Sequence, residues 1–103
     1  MAISIVDASG NLILFEKLDD TQPGSIAVAT NKARTAANFR RPTKALEDMV
    51  AAGRTVFLGI EGLLPLQGGV PVIVDGKFIG AVGVSGGTAD QDEQVALAAI
   101  AAL

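Results

Sequence analysis

The sequence contains no cysteine and no histidine. Their absence removes disulfides, thiolate and imidazole metal sites, cysteine nucleophiles and any triad that needs an imidazole base. Tryptophan and tyrosine are missing too, and four phenylalanines make up the whole 4% aromatic content. The core must therefore be built from Ala, Val, Leu, Ile and those four rings, a small-grained interior. Neither sign of charge dominates: eight Lys and Arg stand against eleven Asp and Glu, for a net charge of −3. Nothing in that balance draws the chain toward nucleic acid or an anionic membrane. No apolar run approaches the ~20 residues of a membrane span. Met1-Ala-Ile-Ser-Ile-Val-Asp7 lacks the basic flank of a signal peptide, so the chain reads as cytoplasmic.

What is present is apolar and punctuated. Half of the 103 residues are hydrophobic, and this length fits a single domain over residues 1–103. The twelve glycines punctuate the chain rather than forming a low-complexity tract, and Gly80 and Gly83 lie within an expected strand. Ala2 to Val6 and Leu12 to Lys17 are β-branched and apolar runs around Asp7-Ala-Ser-Gly-Asn11, which predicts a hairpin with Gly10 left-handed. From Ser25 to Phe39, Ile26, Ala29, Ala33, Ala36 and Ala37 recur at three- and four-residue spacing, the pattern of a helix with an alanine face. Pro42 ends it, Thr43 caps a second short helix through Ala52, and Gly53 closes that one. Residues 54–67 fit either a short helix or an extended segment. Val70 to Val74 and Phe78 to Val84 flank Asp75-Gly76, the strongest two-residue hairpin signal, and Pro71 suits a strand start or an edge. Thr88-Ala-Asp-Gln91 spells a capping box before a final helix. The order ββααββα with antiparallel hairpins indicates an α+β fold.

Three places could carry chemistry. Lys32, Arg34, Arg40, Arg41 and Lys44 are five of the eight cations, with no acid between them. They read either as a site for carboxylates or phosphates or as a solvated helix face paired with Glu47, Asp48 or another subunit. The loop Ser85-Gly86-Gly87-Thr88 at a helix amino terminus reads either as an anion pocket or as structural capping, since Asp90, Asp92 and Glu93 crowd the first turn with negative charge. Leu63-Leu-Pro-Leu-Gln-Gly-Gly69 could line an apolar pocket for a flat ligand or pack against a neighbour. Asp90, Asp92 and Glu93 are expected to be ordinary surface carboxylates. No acid–base pair or nucleophile stands out, so the chain reads as non-catalytic.

Val6-Asp-Ala-Ser-Gly-Asn-Leu12, Lys32-Ala-Arg-Thr-Ala-Ala37, Arg41-Pro-Thr43, the Gly62 to Pro71 segment and Gly83-Val-Ser-Gly-Gly-Thr88 with Gln91-Asp-Glu93 occur in one order over nearly the whole chain. In this the sequence resembles the GlcG/HbpS-like, or haem-degrading-like, domain family. The resemblance implies a profilin-like antiparallel sheet flanked by helices, and a homo-oligomer. It also implies a small anionic ligand, haem or another anionic metabolite; with the loop reading above, the candidate ligand-binding residues are Lys32, Arg34, Thr35, Arg41, Thr43, Ser85, Gly86 and Gly87. Thr35 and Thr43 would be the nearest hydroxyl candidates for an iron, because the histidine of some relatives is absent, and Met49 reads either as a further candidate or as a core residue. Family members occur beside glycolate or diol utilisation genes, so an enzyme or accessory role there is a second reading, and a structural assembly subunit a third. Relatives usually carry a long helix before the first strand. This sequence starts at the strand, so one sheet face is expected to lack that cover, unless another subunit or the final Ala-rich helix supplies it or the sequence is a truncated form.

Overall fold

Two hairpins supply the strands. In the computed structural model, which describes residues 1–102, β1 (Ala2–Asp7) and β2 (Leu12–Lys17) form the first, and β3 (Gly69–Val74) and β4 (Lys77–Ser85) the second. Asp75 and Gly76 take positive φ of 52° and 76°, as the tight turn of a two-residue hairpin requires. β1 pairs antiparallel with β4, so the sheet order is β2-β1-β4-β3. β3 is therefore an edge strand, where Pro71 is tolerated.

The helices are α1 (Gly24–Phe39), α2 (Thr43–Ala51) and α3 (Ala89–Ala101), with a 3-10 turn at Thr55–Gly59 in the segment whose sequence was ambiguous. The α+β order ββααββα is thus observed with that turn inserted. One expected detail differs. Pro42, not Thr43, occupies the N-cap of α2; Thr43 is its first helical residue, and its hydroxyl accepts from the Gly69 amide at 2.9 Å.

Strand alternation divides the core between two faces. Val6 and Ala81 meet Ala33, Ala36 and Ala37 of α1 on one face, with Phe78 packed at the margin. Val70, Val72, Val82 and Val84 meet Ala96 of α3 on the other, joined by Ile3, Ile5 and Ile100. Each buried valine contributes about 1.5–3 kcal/mol. The alanine face of α1 works because Gly83 lies beneath it: a Cβ there would collide with the Ala29 carbonyl and the Ala33 amide. On the second face α3 packs over β3 and β4. Towards β1 and β2 an apolar groove of about 200 Å³, lined by Ile5, Ile13, Val72 and Ile79 among others, stays open, and Ile13 and Ile79 are exposed.

Candidate functional site

The segment from Gly62 to Gly68 is irregular backbone leading into β3, and its position depends on three side chains from the helices. Thr35, buried in α1, accepts from the Leu64 amide at 3.0 Å and donates to the Asn31 carbonyl at 2.7 Å. Glu47 of α2 accepts from the Gln67 amide at 3.3 Å, and Thr43 holds Gly69. Between α1 and this pinned segment lies a recess of about 240 Å³ lined by Asn31, Gly62, Leu63 and Leu64. Its walls combine one amide side chain, exposed backbone and two half-buried leucines. Arg34, three residues beyond Asn31 on α1, is exposed, and its Nε donates to the Gly10 carbonyl at 3.3 Å. This anchors its guanidinium at the β1–β2 turn, and Arg34 is not one of the residues that line the recess.

The five cations of the sequence cluster have separate engagements. Lys32 is buried: its Nζ donates to Asp92 Oδ2 and to the Val84 carbonyl, both at 3.0 Å. Arg40 takes a left-handed φ of 55° at the end of α1 and stacks 4.3 Å from the Phe78 ring centroid. Arg41 is exposed and turns its Nε back to the Phe39 carbonyl at 2.9 Å. Lys44 pairs with Asp48 at 2.9 Å one turn along α2. The hydrogen bond to Asp48 is the chief cause that raises the Lys44 pKa above its ordinary value, followed by the Asp48 charge.

The Ser85–Thr88 loop serves the fold. Thr88 and Gln91 form the reciprocal capping box, at 3.2 Å and 3.0 Å. The Gly87 amide donates to Asp92 Oδ1 at 2.8 Å, Ser85 is buried, and Gly86 packs against Met1. The Gly87, Thr88 and Gln91 amides are thereby engaged within the chain, and the capping that the sequence offered is observed.

Asp92 corrects an expectation. It is not a surface carboxylate but 3% exposed, and it gathers Lys32 of α1 and the Gly87 amide at the start of α3. Lys32 reaches it past Gly68, whose φ is +131°; a Cβ at Gly68 would lie 2.8 Å from the Lys32 ammonium nitrogen and 2.8 Å from the Val84 carbonyl. The helical period did contain a hint: Lys32 sits three residues after Ala29 and one before Ala33, inside the buried stripe. For Asp92, Glu47 and the inward role of Thr35 no local pattern gave a signal.

Residues 1–101 match the family described as haem degrading protein HbpS-like. The chain belongs to the HbpS-like family. Among its relatives, Protein GlcG of Escherichia coli (strain K12) is 50% identical over 85 residues, which cover 82% of this chain and 63% of GlcG. The chain thus spans less than two thirds of that relative's length. The solved PduOC:heme complex superposes with a TM-score of 0.87 at 34% identity, covering 99% of this chain and 77% of that one. A double mutant of HbpS from Streptomyces reticuli gives a TM-score of 0.89 at 36% identity over 99% of this chain and 70% of its own. These likenesses establish the fold inferred from sequence, an antiparallel four-stranded sheet with three helices.

The side chains present suit only part of a haem. The recess is smaller than the roughly 300–1,000 Å³ of pockets that enclose a drug-sized ligand, so it can seat an edge of the macrocycle but not surround it. Its leucines fit an apolar rim, and Arg34 has the fork geometry for a propionate. No imidazole or thiolate exists in the chain for the iron. The hydroxyls of Thr35 and Thr43 are already engaged with backbone. Imidazole, thiolate and these two hydroxyls are therefore not available to an iron.

Proposed function

We propose that this domain is a binding module for a planar, anionic, tetrapyrrole-class ligand. Its macrocycle edge rests on Leu63 and Leu64, its polar margin meets Asn31, and a carboxylate is met by Arg34. The observation that carries the reading is the recess between α1 and Gly62–Leu64, whose rim is fixed by the buried Thr35 hydroxyl. A family relative solved with haem, alike over 99% of this chain, supports the ligand class. The module works as a homo-oligomer, because a partial recess needs a second wall. Lys32, Ser85, Gly86 and Gly87 leave the ligand set and serve the fold.

Since recognition uses the ring edge and a carboxylate rather than the metal, haem and metal-free protoporphyrin IX bind with affinities within a few-fold of each other. Optical titration of micromolar protein with each tests this. A Soret shift with haem and a fluorescence change with protoporphyrin at similar midpoints support the proposal. Binding of haem alone would mean that an iron ligand has been overlooked, and binding of neither would end the tetrapyrrole reading.

A further inference from the structure

β2 is an outer strand of the sheet, and its edge away from β1 is open. Every residue of β2 except Phe15 is exposed, with Leu12 at 48%, Ile13 at 64% and Leu14 at 53%. The Leu18 amide donates to the Met1 carbonyl at 3.0 Å, and antiparallel pairs alternate between exchanging their main-chain bonds and leaving them free. Counted back along the register, Glu16 and Leu14 bond β1, whereas the amides and carbonyls of Phe15 and Lys17 point away from it. Side chains flank this edge on both faces. Leu12 stands opposite the buried Val6 and Phe15 opposite Ser4, on the side of α1. The register shift leaves Ile13 as an extra residue turned into the apolar groove, which Ile5, the partner of Leu14, also lines. The other outer strand is built differently: the Val84 amide bonds the Gly68 carbonyl, so the same alternation gives Pro71 an outward position in β3, where it has no hydrogen to donate. Charge along β2 is also uneven, with Glu16 near its end and Asp19 and Asp20 just beyond, against Lys17 alone. Among the described residues the ion pairs are Lys32–Asp92 and Lys44–Asp48, so these three carboxylates have no ionic partner in the chain.

We propose that the open edge of β2 takes up an extended peptide of another protein as a fifth, antiparallel strand, with alternate apolar side chains against the groove and basic residues against Glu16, Asp19 and Asp20. Phe15 and Lys17 supply main-chain donors and acceptors, which give affinity with little dependence on sequence, and the groove beside Ile13 selects an apolar side chain. Antiparallel pairing is the more stable kind and continues the pattern of the sheet, so it is the amino-terminal end of the peptide that reaches the carboxylates. A second copy of β2 is a poorer occupant. Paired antiparallel about Phe15, it sets Leu14 against Glu16 and the uncharged Asn11 against Asp19, and so brings no cation to the acidic end. β2 contributes no residue to the recess at Gly62–Leu64, so this proposal stands apart from the tetrapyrrole reading.

The probe is the peptide Lys-Lys-Val-Thr-Val-Thr-Val, acetylated at its amino end and fluorescent at its carboxyl end, titrated with the full chain and followed by anisotropy. Two further forms carry N-methyl groups on alternate residues of the Val-Thr run. The set facing β2 should lose affinity at least about tenfold, and the set facing water should stay within a few-fold of the parent peptide. Equal losses in both sets, no loss in either, or no binding of the parent peptide would overturn strand addition. Replacing both lysines of the peptide by glutamate should weaken binding about threefold or more at low salt, and E16K/D19K in the protein should reverse the preference. An unchanged preference would overturn the basic chemistry assigned to the partner. Amide spectra of the isotope-labelled protein locate the contact. Phe15 and Lys17 should shift and exchange more slowly with peptide bound, and changes centred elsewhere would overturn the site. The same changes on concentrating the protein without peptide would mean that a second copy holds the edge, and would overturn the peptide reading.

Discussion

Replacing Asp92 by alanine removes the carboxylate that the Lys32 ammonium meets at 3.0 Å, in a place where the two side chains are only 5% and 4% exposed. The lysine keeps the Val84 carbonyl as acceptor but loses its counter-charge, and the Gly87 amide loses its partner. Breaking one side of a buried pair costs about 3–5 kcal/mol because a charge stays behind without compensation. Against a total stability of roughly 5–15 kcal/mol this is a large share. For a domain near one hundred residues, about 4 °C of melting temperature follows each kcal/mol, so D92A should melt roughly 12–20 °C lower. The double variant K32M/D92L removes both charges and fills the space with apolar groups. It should lose only the roughly 1–3 kcal/mol of the orphaned Gly87 amide, recovering part of what D92A loses. Urea unfolding followed by circular dichroism measures all three proteins. D92A within about 1 kcal/mol of the parent, or a double variant worse than D92A, would refute the argument that this pair ties α1 to α3.

Gly83→Ala drives a methyl group into the backbone of α1 and should destabilise by about 1–3 kcal/mol or more, read by the same unfolding assay. Thr35→Val keeps the shape of the side chain but leaves the Leu64 amide without its acceptor; a loss of about 1–3 kcal/mol in stability should accompany weaker protoporphyrin binding. Asp7 is held below its ordinary pKa of 3.8, chiefly by the Asn11 amide and with help from that of Ser9. A depressed carboxylate stabilises the fold above its unfolded pKa, and that contribution disappears as pH falls through the folded value. Asp7→Ala should therefore be less stable than the parent at neutral pH, and the difference should narrow in melts taken below about pH 4.

Local signals were easily read and long-range ones were not. Asp75-Gly76, the Thr88–Gln91 capping box and the alanine period of α1 act within a few residues, and each gave its element to within one or two positions. The bulk of the sheet follows, because two such hairpins with apolar faces must bury them against the helices. The candidate site was legible only in outline. Leu63 and Leu64 stood in a segment that read either as a pocket lining or as a packing surface, and their pinning by Thr35 depends on a hydrogen bond between residues 29 apart. Proximity in sequence misled for the cations: on a helix successive residues point about 100° apart, so Lys32 enters the buried stripe while Arg34 faces solvent. The partner of Lys32 lies 60 residues away, and nothing local in Asp92 distinguishes it from Asp90.

The location of the ligand is the claim on which the functional account turns. Amide chemical shifts recorded during titration with metal-free protoporphyrin IX report it residue by residue, without paramagnetic broadening. The account predicts the largest changes at Asn31, Arg34 and Gly62 to Leu64, with Gly86, Gly87 and Asp92 unmoved. Shifts centred on the Ser85–Thr88 loop, or spread evenly over the chain, would contradict it.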